Sequence, residues 1–161
     1  MTDSGPTIRL RPLREDEYEA FVAASKAGYA QGIEEQAGFS AEYARHRAEE
    51  DFFTVLPAGL ETPGHAIFVV EAEGEPVGRL WIAEREMGAR QVLYIYDIEI
   101  DPAFRGRGLG RAAMLLAEEQ ARARGISRIA LNVFGGNDAA RELYRSLGYL
   151  ESSVQMAKDL D

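Results

Sequence analysis

Residues 7–13, "TIRLRPL", alternate apolar and polar positions and predict a short first strand, ended at Pro12. The period then lengthens. In 14–31, "REDEYEAFVAASKAGYAQ", acids crowd the first turn while Tyr18, Phe21, Val22, Ser25 and Tyr29 recur at helical spacing, which predicts an amphipathic helix. "FSAEYARHRAEEDFFTVL" (39–56) predicts a second helix with Ser40 as its N-cap. "PAGLETPG" (57–64) is broken by proline and glycine into a loop. Beyond it, "HAIFVVEAEGEPVGRLWIAERE" (65–86) reads as two strands joined by a turn at Glu73-Gly74-Glu75, an antiparallel hairpin. "QVLYIYDIEID" (91–101) is a further strand, and "LGRAAMLLAEEQARARG" (109–125) a helix capped by Gly125. "ISRIALNVF" (126–134) reads as a strand. "GGNDAARELYRSLGY" (135–149) follows as a short helix capped by Asn137 or Asp138 and stopped by Gly148, and "LESSVQMAKDL" (150–160) as a closing strand.

The order is thus strand, two helices, three strands, helix, strand, helix, strand. Strands joined by short turns run antiparallel, whereas a strand, helix and strand in series make a parallel crossover. The expected fold class is therefore α/β, with one central mixed and mostly antiparallel sheet flanked by about four helices. With 161 residues and no repeat, low-complexity tract or linker, the chain is expected to be a single domain.

Composition narrows the chemistry. No stretch approaches the ~20 consecutive apolar residues of a membrane span, and "MTDSGPTIRL" lacks the basic start and apolar middle of a leader, so a cytoplasmic, membrane-free location is expected. The absence of cysteine excludes disulfides, thiol nucleophiles and cysteine metal sites. The two histidines, His46 and His65, have no neighbour at metal-ligand spacing, so no metal is expected. A net charge of −9 argues against nucleic acid as a partner and only weakly favours a cationic one.

The informative stretch is "RGRGLG" (105–110), three glycines between a strand and a helix. A nucleotide-binding P-loop needs Lys and then Ser or Thr after its last glycine, and Arg111-Ala112 stand there instead. Gly108-Leu109-Gly110-Arg111-Ala112-Ala113 fits a dinucleotide pattern, but "DPAFR" separates the strand from the glycines and no ribose-binding acid ends the next strand. A plain flexible connector would not need glycines packed against a helix start. There, backbone amides and the helix dipole together suit a pyrophosphate, and Arg105, Arg107 and Arg111 add cations.

Arg105-x-x-Gly108-x-Gly110 after a strand ending in Asp-Pro resembles the acyl-CoA pyrophosphate loop of the GNAT-type N-acetyltransferases. "NDAARELYRSLGY" (137–149) is similar to that family's second signature, an Asn followed seven residues later by Tyr and then by a Gly-aromatic pair. The likeness covers residues 66–158 well. Residues 7–65 would supply the first strand and the acceptor-side helices, and 66–158 the hairpin, the CoA-binding core and the closing strand.

The resemblance implies acetyl-CoA as cosubstrate and an amine-bearing acceptor, a sheet splayed at the CoA cleft, and a homodimer as an open option. It implies that pantetheine bonds to the backbone of Ile98 and Ile100 as an added strand would. The amides of Arg105, Gly106, Arg107, Gly108, Leu109, Gly110 and Arg111 would hold the pyrophosphate. Asn137 would bond the CoA arm besides capping its helix. Tyr144 would stand beside the thioester sulfur and protonate the departing thiolate.

The base is a separate problem. An alkyl amine of pKa near 10.4 costs about 4.6 kcal/mol to deprotonate at pH 7, so something must take its proton. Many relatives carry a glutamate nine residues before the loop arginine, where this chain has Tyr96. Asp97 and Glu99, two apart, share a face of a regular pleat. Glu99 is the expected base and Asp97 the second choice, subject to any bulge in the strand. Trp81 reads as sheet core, and "REDEYE" as a solvated face. The expected function is acetyl transfer from acetyl-CoA to a primary amine by direct attack in a ternary complex. The alternative is a CoA-binding module that has lost transfer and acts as sensor or partner.

Overall fold

A computed structural model describes residues 5–161 of the chain; residues 1–4, part of the stretch read above as lacking a leader, lie outside it. The first strand, β1, is Ile8–Pro12. Two helices follow, α1 at Tyr18–Ala37 and α2 at Ala41–Val55. Ser40 caps α2 through its side chain, which accepts from the Tyr43 N–H at 3.2 Å. The helix α1 runs past the expected end at Gln31 despite Gly28 and Gly32, weak helix formers in isolation, and Gly32 is needed here as a small residue. A side chain at Gly32 would collide with the Phe134 ring, so tertiary packing overrides propensity.

The hairpin is β2, His65–Ala72, and β3, Glu75–Met87, in antiparallel register. Its turn places Glu73 at φ 53° and Gly74 at φ 83°, two left-handed residues in succession, as a right-twisted hairpin requires. After β4, Arg90–Ile100, come α3, Leu109–Ala123, β5, Ile129–Leu131, and α4, Asp138–Ser146. The sheet order is β1-β2-β3-β4-β5, antiparallel except for the parallel pair β4 and β5. This is the expected mixed, mostly antiparallel sheet, flanked among the described residues by four α-helices.

Period-two alternation distributes the core. Leu80 and Ile82 pack on one face with Met114, Ala117 and Leu93, whereas Trp81 between them faces Phe21, Phe52 and Ile67 on the other. So α3 covers one side of the sheet and α1 with α2 the other. Trp81, 3% exposed, is core as expected.

Two expectations are corrected. Of "ISRIALNVF", only Ile129–Leu131 pairs as strand. Among the described residues, 150–160 make no strand pairing, and Leu150, Val154, Met156 and Leu160 are 91%, 65%, 89% and 83% exposed. Their strand-like alternation is present, but a strand exists only against an edge, and this segment pairs with none among the described residues.

Candidate active site

The sheet opens where β4 bulges. Trp81 pairs with Asp97, yet the next β3 residue, Ile82, pairs with Ile95, so Tyr96 is an extra residue in β4. On the other side of β4, pairing to β5 ends at Ile95 with Leu131. From the bulge onward β4 therefore continues beside β3 alone.

Which backbone groups face the opening follows from alternation. The Asp101 N–H donates to Val77 O at 2.8 Å, so Asp101, and with it Glu99 and Asp97, turn their polar backbone groups toward β3. Ile98 and Ile100 turn theirs the opposite way. In agreement, the Ile100 carbonyl accepts from Arg105 Nε at 2.9 Å on that side. At Gly78 a side chain would strike the Glu99 carbonyl, so this glycine keeps β3 and β4 close at Ile100, the far end of the free edge.

A cleft of about 560 Å³ lies against this edge. Ile98, Glu99 and Ile100 line it from β4, and Arg105, Gly106, Gly108, Leu109 and Gly110 from the glycine turn. Asn137 and Tyr144 line it from α4, and Gly28 and Gln31 cover it from α1. Three expected site residues stand outside this lining. Asp97 lies beside it, Arg107 sits over the Phe104 ring at 5.7 Å, and Arg111 donates to Ser146 Oγ at 2.9 Å.

The turn is held open by left-handed backbone at Gly106, φ 78°, and Gly108, φ 74°. Gly108 is the N-cap of α3 and has no side chain with which to cap it. The first helical bond runs from the Ala112 N–H to Gly108 O at 3.1 Å, so the N–H groups of Leu109, Gly110 and Arg111 have no partner within the helix. Those amides, the helix dipole and an exposed glycine surface make an anion site. Asn137 caps α4 through Oδ1, which accepts from the Ala140 N–H at 3.3 Å, and its amide nitrogen is left for another acceptor.

Both candidate bases are engaged by Arg79, a residue that pattern reading overlooked. Its Nε donates to Asp97 Oδ2 at 2.6 Å and its Nη2 to Glu99 Oε2 at 2.7 Å. Because the bulge precedes both acids, their shared face survives. Ser25 of α1 donates to the same Asp97 oxygen at 2.6 Å, and Arg105 Nη2 donates to Glu99 Oε1 at 3.0 Å. Each Glu99 oxygen thus accepts a guanidinium N–H. Burial alone would lower the Arg79 pKa, but the facing carboxylates outweigh it and the guanidinium is held charged. The signal for Arg79 was a lone cation inside the apolar run "VGRLWIA", opposite two acids one strand later.

Tyr144 is half-buried, its phenol pushed above the usual tyrosine range by burial and then by the Asp97 charge. It stays protonated at neutral pH. Tyr96, at the position where the family resemblance implied a glutamate, stacks on Trp81 at 4.7 Å and 20°, so this place is an aromatic wall rather than an acid. His65 completes the wall, its Nδ1 accepting from Trp81 Nε1 at 3.0 Å.

The open edge, the glycine turn and Tyr144 line one cleft, and comparison with known proteins gives the family. The Acetyltransferase (GNAT) family matches residues 10–149. The chain belongs to the GNAT acetyltransferase family. It is 32% identical to the uncharacterized N-acetyltransferase YycN of Bacillus subtilis over 96% of this chain and 99% of that one, and the crystal structure of YycN superposes with a TM-score of 0.90. It is 33% identical to a mycothiol acetyltransferase of Thermobispora bispora over 92% of this chain, which spans 48% of that protein. An aminoglycoside N-acetyltransferase solved with CoA shares the fold at a TM-score of 0.63 and 16% identity over 99% of each chain. The GNAT protein is accordingly an acyltransferase. Among the described residues no helix is long and apolar enough to cross a membrane.

Proposed function

We propose that this GNAT protein transfers the acetyl group of acetyl-CoA to a primary amine by direct attack in a ternary complex. The observation that carries the reading is the free β4 edge at Ile98 and Ile100, which shares one cleft with the amide-rich start of α3 and with Tyr144. Pantetheine amides would complete the edge as a short added strand, and the pyrophosphate would take the N–H groups of Leu109, Gly110 and Arg111. Asn137 would bond the CoA arm through its free amide. Residues 7–65 would supply the acceptor side, since Gly28 and Gln31 of α1 already close the cleft from that direction.

In the reaction the amine nitrogen attacks the thioester carbonyl, the N–C bond forms and the C–S bond breaks. Glu99 takes the amine proton, directly or through water, and Tyr144 gives its proton to the departing thiolate. Arg105 links the two ends of the site: a pyrophosphate on the turn competes with Glu99 for its guanidinium, and its departure frees Glu99 Oε1 as acceptor. Asp97, fixed by Arg79 and Ser25, is the second candidate and holds the arginine in place.

A second reading, a CoA-binding module without transfer, is favoured by the guanidinium contacts on both Glu99 oxygens and by Tyr96 in the family's usual base position. A panel of amines, including lysine side chains, protein N-termini, polyamines, aminoglycosides and the amine precursors of small thiols, incubated with acetyl-CoA while free thiol is followed, separates the two. Acceptor-dependent thiol release supports transfer. Tight CoA binding with none across the panel supports the module.

A further inference from the structure

The aromatic wall at Tyr96 extends along the face of β4 that looks toward α1 and α2. His65 pairs with Ala83, and Ala83 with Tyr94, so two rings rise from one cross-strand row with a single methyl group between them. Tyr96 joins them, its ring 4.8 Å from that of Tyr94 and 5.4 Å from that of His65. Arg85, two residues beyond Ala83 on β3, shares this face by alternation. Its guanidinium leans back to lie 4.6 Å over the Tyr94 ring and 5.7 Å from the centre of the Tyr96 ring.

The patch holds donors and no acid. Burial lowers the His65 pKa and raises that of Tyr94; the cation acting on both rings is Arg85, and no carboxylate acts on either. Glu84 and Glu86, which flank Arg85, alternate to the opposite face, where Glu84 pairs with Arg124 at 3.4 Å. Because His65 accepts from Trp81 on Nδ1, the proton of its neutral ring is on Nε2 and is available to another group. In a chain of net charge −9, a guanidinium, an imidazole N–H and two phenols are thus gathered over one aromatic floor. Such a set complements an oxyanion, and the planar fork of arginine suits a carboxylate.

The wall also reaches the reacting centre. The bulge puts Asp97 on the same face directly after Tyr96, opposite Trp81, and the Asp97 charge acts on the Tyr144 phenol. Rows two residues apart on a strand stand about 7 Å from one another, so the Arg85 guanidinium lies on the order of 10 Å from the acids at Asp97 and Glu99. We propose that this patch is a subsite for a carboxylate carried by the acceptor. The amine sits at Glu99, the body of the acceptor lies along the Tyr96 and Tyr94 rings, and the carboxylate is received by Arg85 and the His65 Nε2–H. A free α-amino acid is too short, since its amine and carboxylate share one carbon. At ~3.3–3.6 Å per extended residue, the spacing fits a peptide-like amine with a carboxylate two to three residues away. The inference rests on the transfer reading above and names the acceptor class within it.

Triglycine and triglycine amide, which differ only at the terminal carboxylate, test it. With acetyl-CoA, the KM for triglycine should be lower than that for the amide by about tenfold or more. Arg85→Gln should raise the KM for triglycine to that for the amide while kcat holds, and Arg85→Lys should restore part of the difference. Fluorescence of Trp81, which stacks on Tyr96, reads acceptor binding without turnover when CoA replaces acetyl-CoA. There the half-saturating concentration of triglycine should rise in Arg85→Gln. Equal KM values for acid and amide in the wild type overturn the subsite, and so does an Arg85→Gln loss that falls equally on both, which would make Arg85 a structural residue. Arg85-dependent binding of triglycine with no acetylation of either compound would support the subsite and count against transfer instead. Absence of both binding and turnover overturns the proposed acceptor class.

Discussion

Arg105 donates to Glu99 Oε1 across 3.0 Å, so the first side chain of the glycine turn is tied to the acid proposed as base. On this arrangement Glu99→Gln keeps the shape but removes the acceptor charge, and kcat/KM falls by about 10²-fold near pH 7. Part of the loss returns at high pH as the amine deprotonates unaided. Asp97→Asn, which leaves Arg79 paired with Glu99, has the smaller effect. The pH dependence of kcat/KM for the two variants on one acceptor checks this. A larger loss for Asp97→Asn with the same recovery would transfer the role to Asp97.

Tyr144→Phe should keep acetyl-CoA affinity and lower kcat by ~10²–10⁴-fold, the usual contribution of general-acid catalysis. The raised phenol pKa fixes the sign of the pH profile. An acid must be protonated to act, so the wild-type enzyme loses this contribution only above the ordinary tyrosine range near 10. The profile should rise from neutral pH with amine deprotonation and show no tyrosine-dependent descent below about pH 10. Steady-state rates across that range, beside calorimetric binding of acetyl-CoA, provide the check. A tyrosine-dependent fall between pH 8 and 9 would argue against the assignment.

Gly108 sits at φ 74°, where an added β-carbon is strained whatever the space around it. Asn and Asp bring nearly the same shape to that strain and differ in charge. If phosphates occupy the turn, Gly108→Asp should bind acetyl-CoA about tenfold or more weakly than Gly108→Asn. Gly110 has ordinary backbone, and its β-carbon would make only ordinary contacts, with Leu143 Cδ2 at 3.5 Å and Ile100 Cγ1 at 4.0 Å, so Gly110→Ala should fold normally and Gly110→Asp should lose affinity. Equal affinities for the Asp and Asn variants at 108 would remove the phosphate from this turn.

What could be read from sequence alone divides along local and distant causes. Ser40 as cap, Gly125 and Gly148 as stops, the hairpin turn at Glu73-Gly74 and the Asp97–Glu99 face are set by neighbours in the chain, and the structure has them all. Ser25 was legible only as a small residue on the helix face, because its role lies in a bond to Asp97, 72 positions away. The bulge at Tyr96 leaves no trace in strand parity, since one extra residue in an apolar run still reads as strand. Residues 150–160 show the converse case: their alternation is real, but pairing is a property of two segments and no single-segment pattern reports the partner.

Stability on the side of the sheet covered by α1 and α2 should depend on pH through His65. Burial, and then the nearby Arg85 charge, lower the His65 pKa below its ordinary value near 6.5. The neutral ring accepts the Trp81 Nε1 proton on Nδ1, and protonation would replace that acceptor with a donor. A depressed histidine binds its proton more weakly folded than unfolded, so its stabilising contribution is complete above about pH 6.5 and declines as pH falls below it. Glu17, held near 2 by its bond to Arg11, is lost only at more acid pH, below the ordinary carboxylate range. The interval from about pH 7 to 5 therefore isolates His65 from that pair. His65→Gln retains an oxygen acceptor for Trp81 without a titrating ring, so its melting temperature should fall less over this interval than that of the wild type. Thermal melts followed by the fluorescence of the single tryptophan measure both curves. If the two curves run parallel from pH 7 to 5, His65 titrates alike in both states and the aromatic wall does not depend on its neutral form.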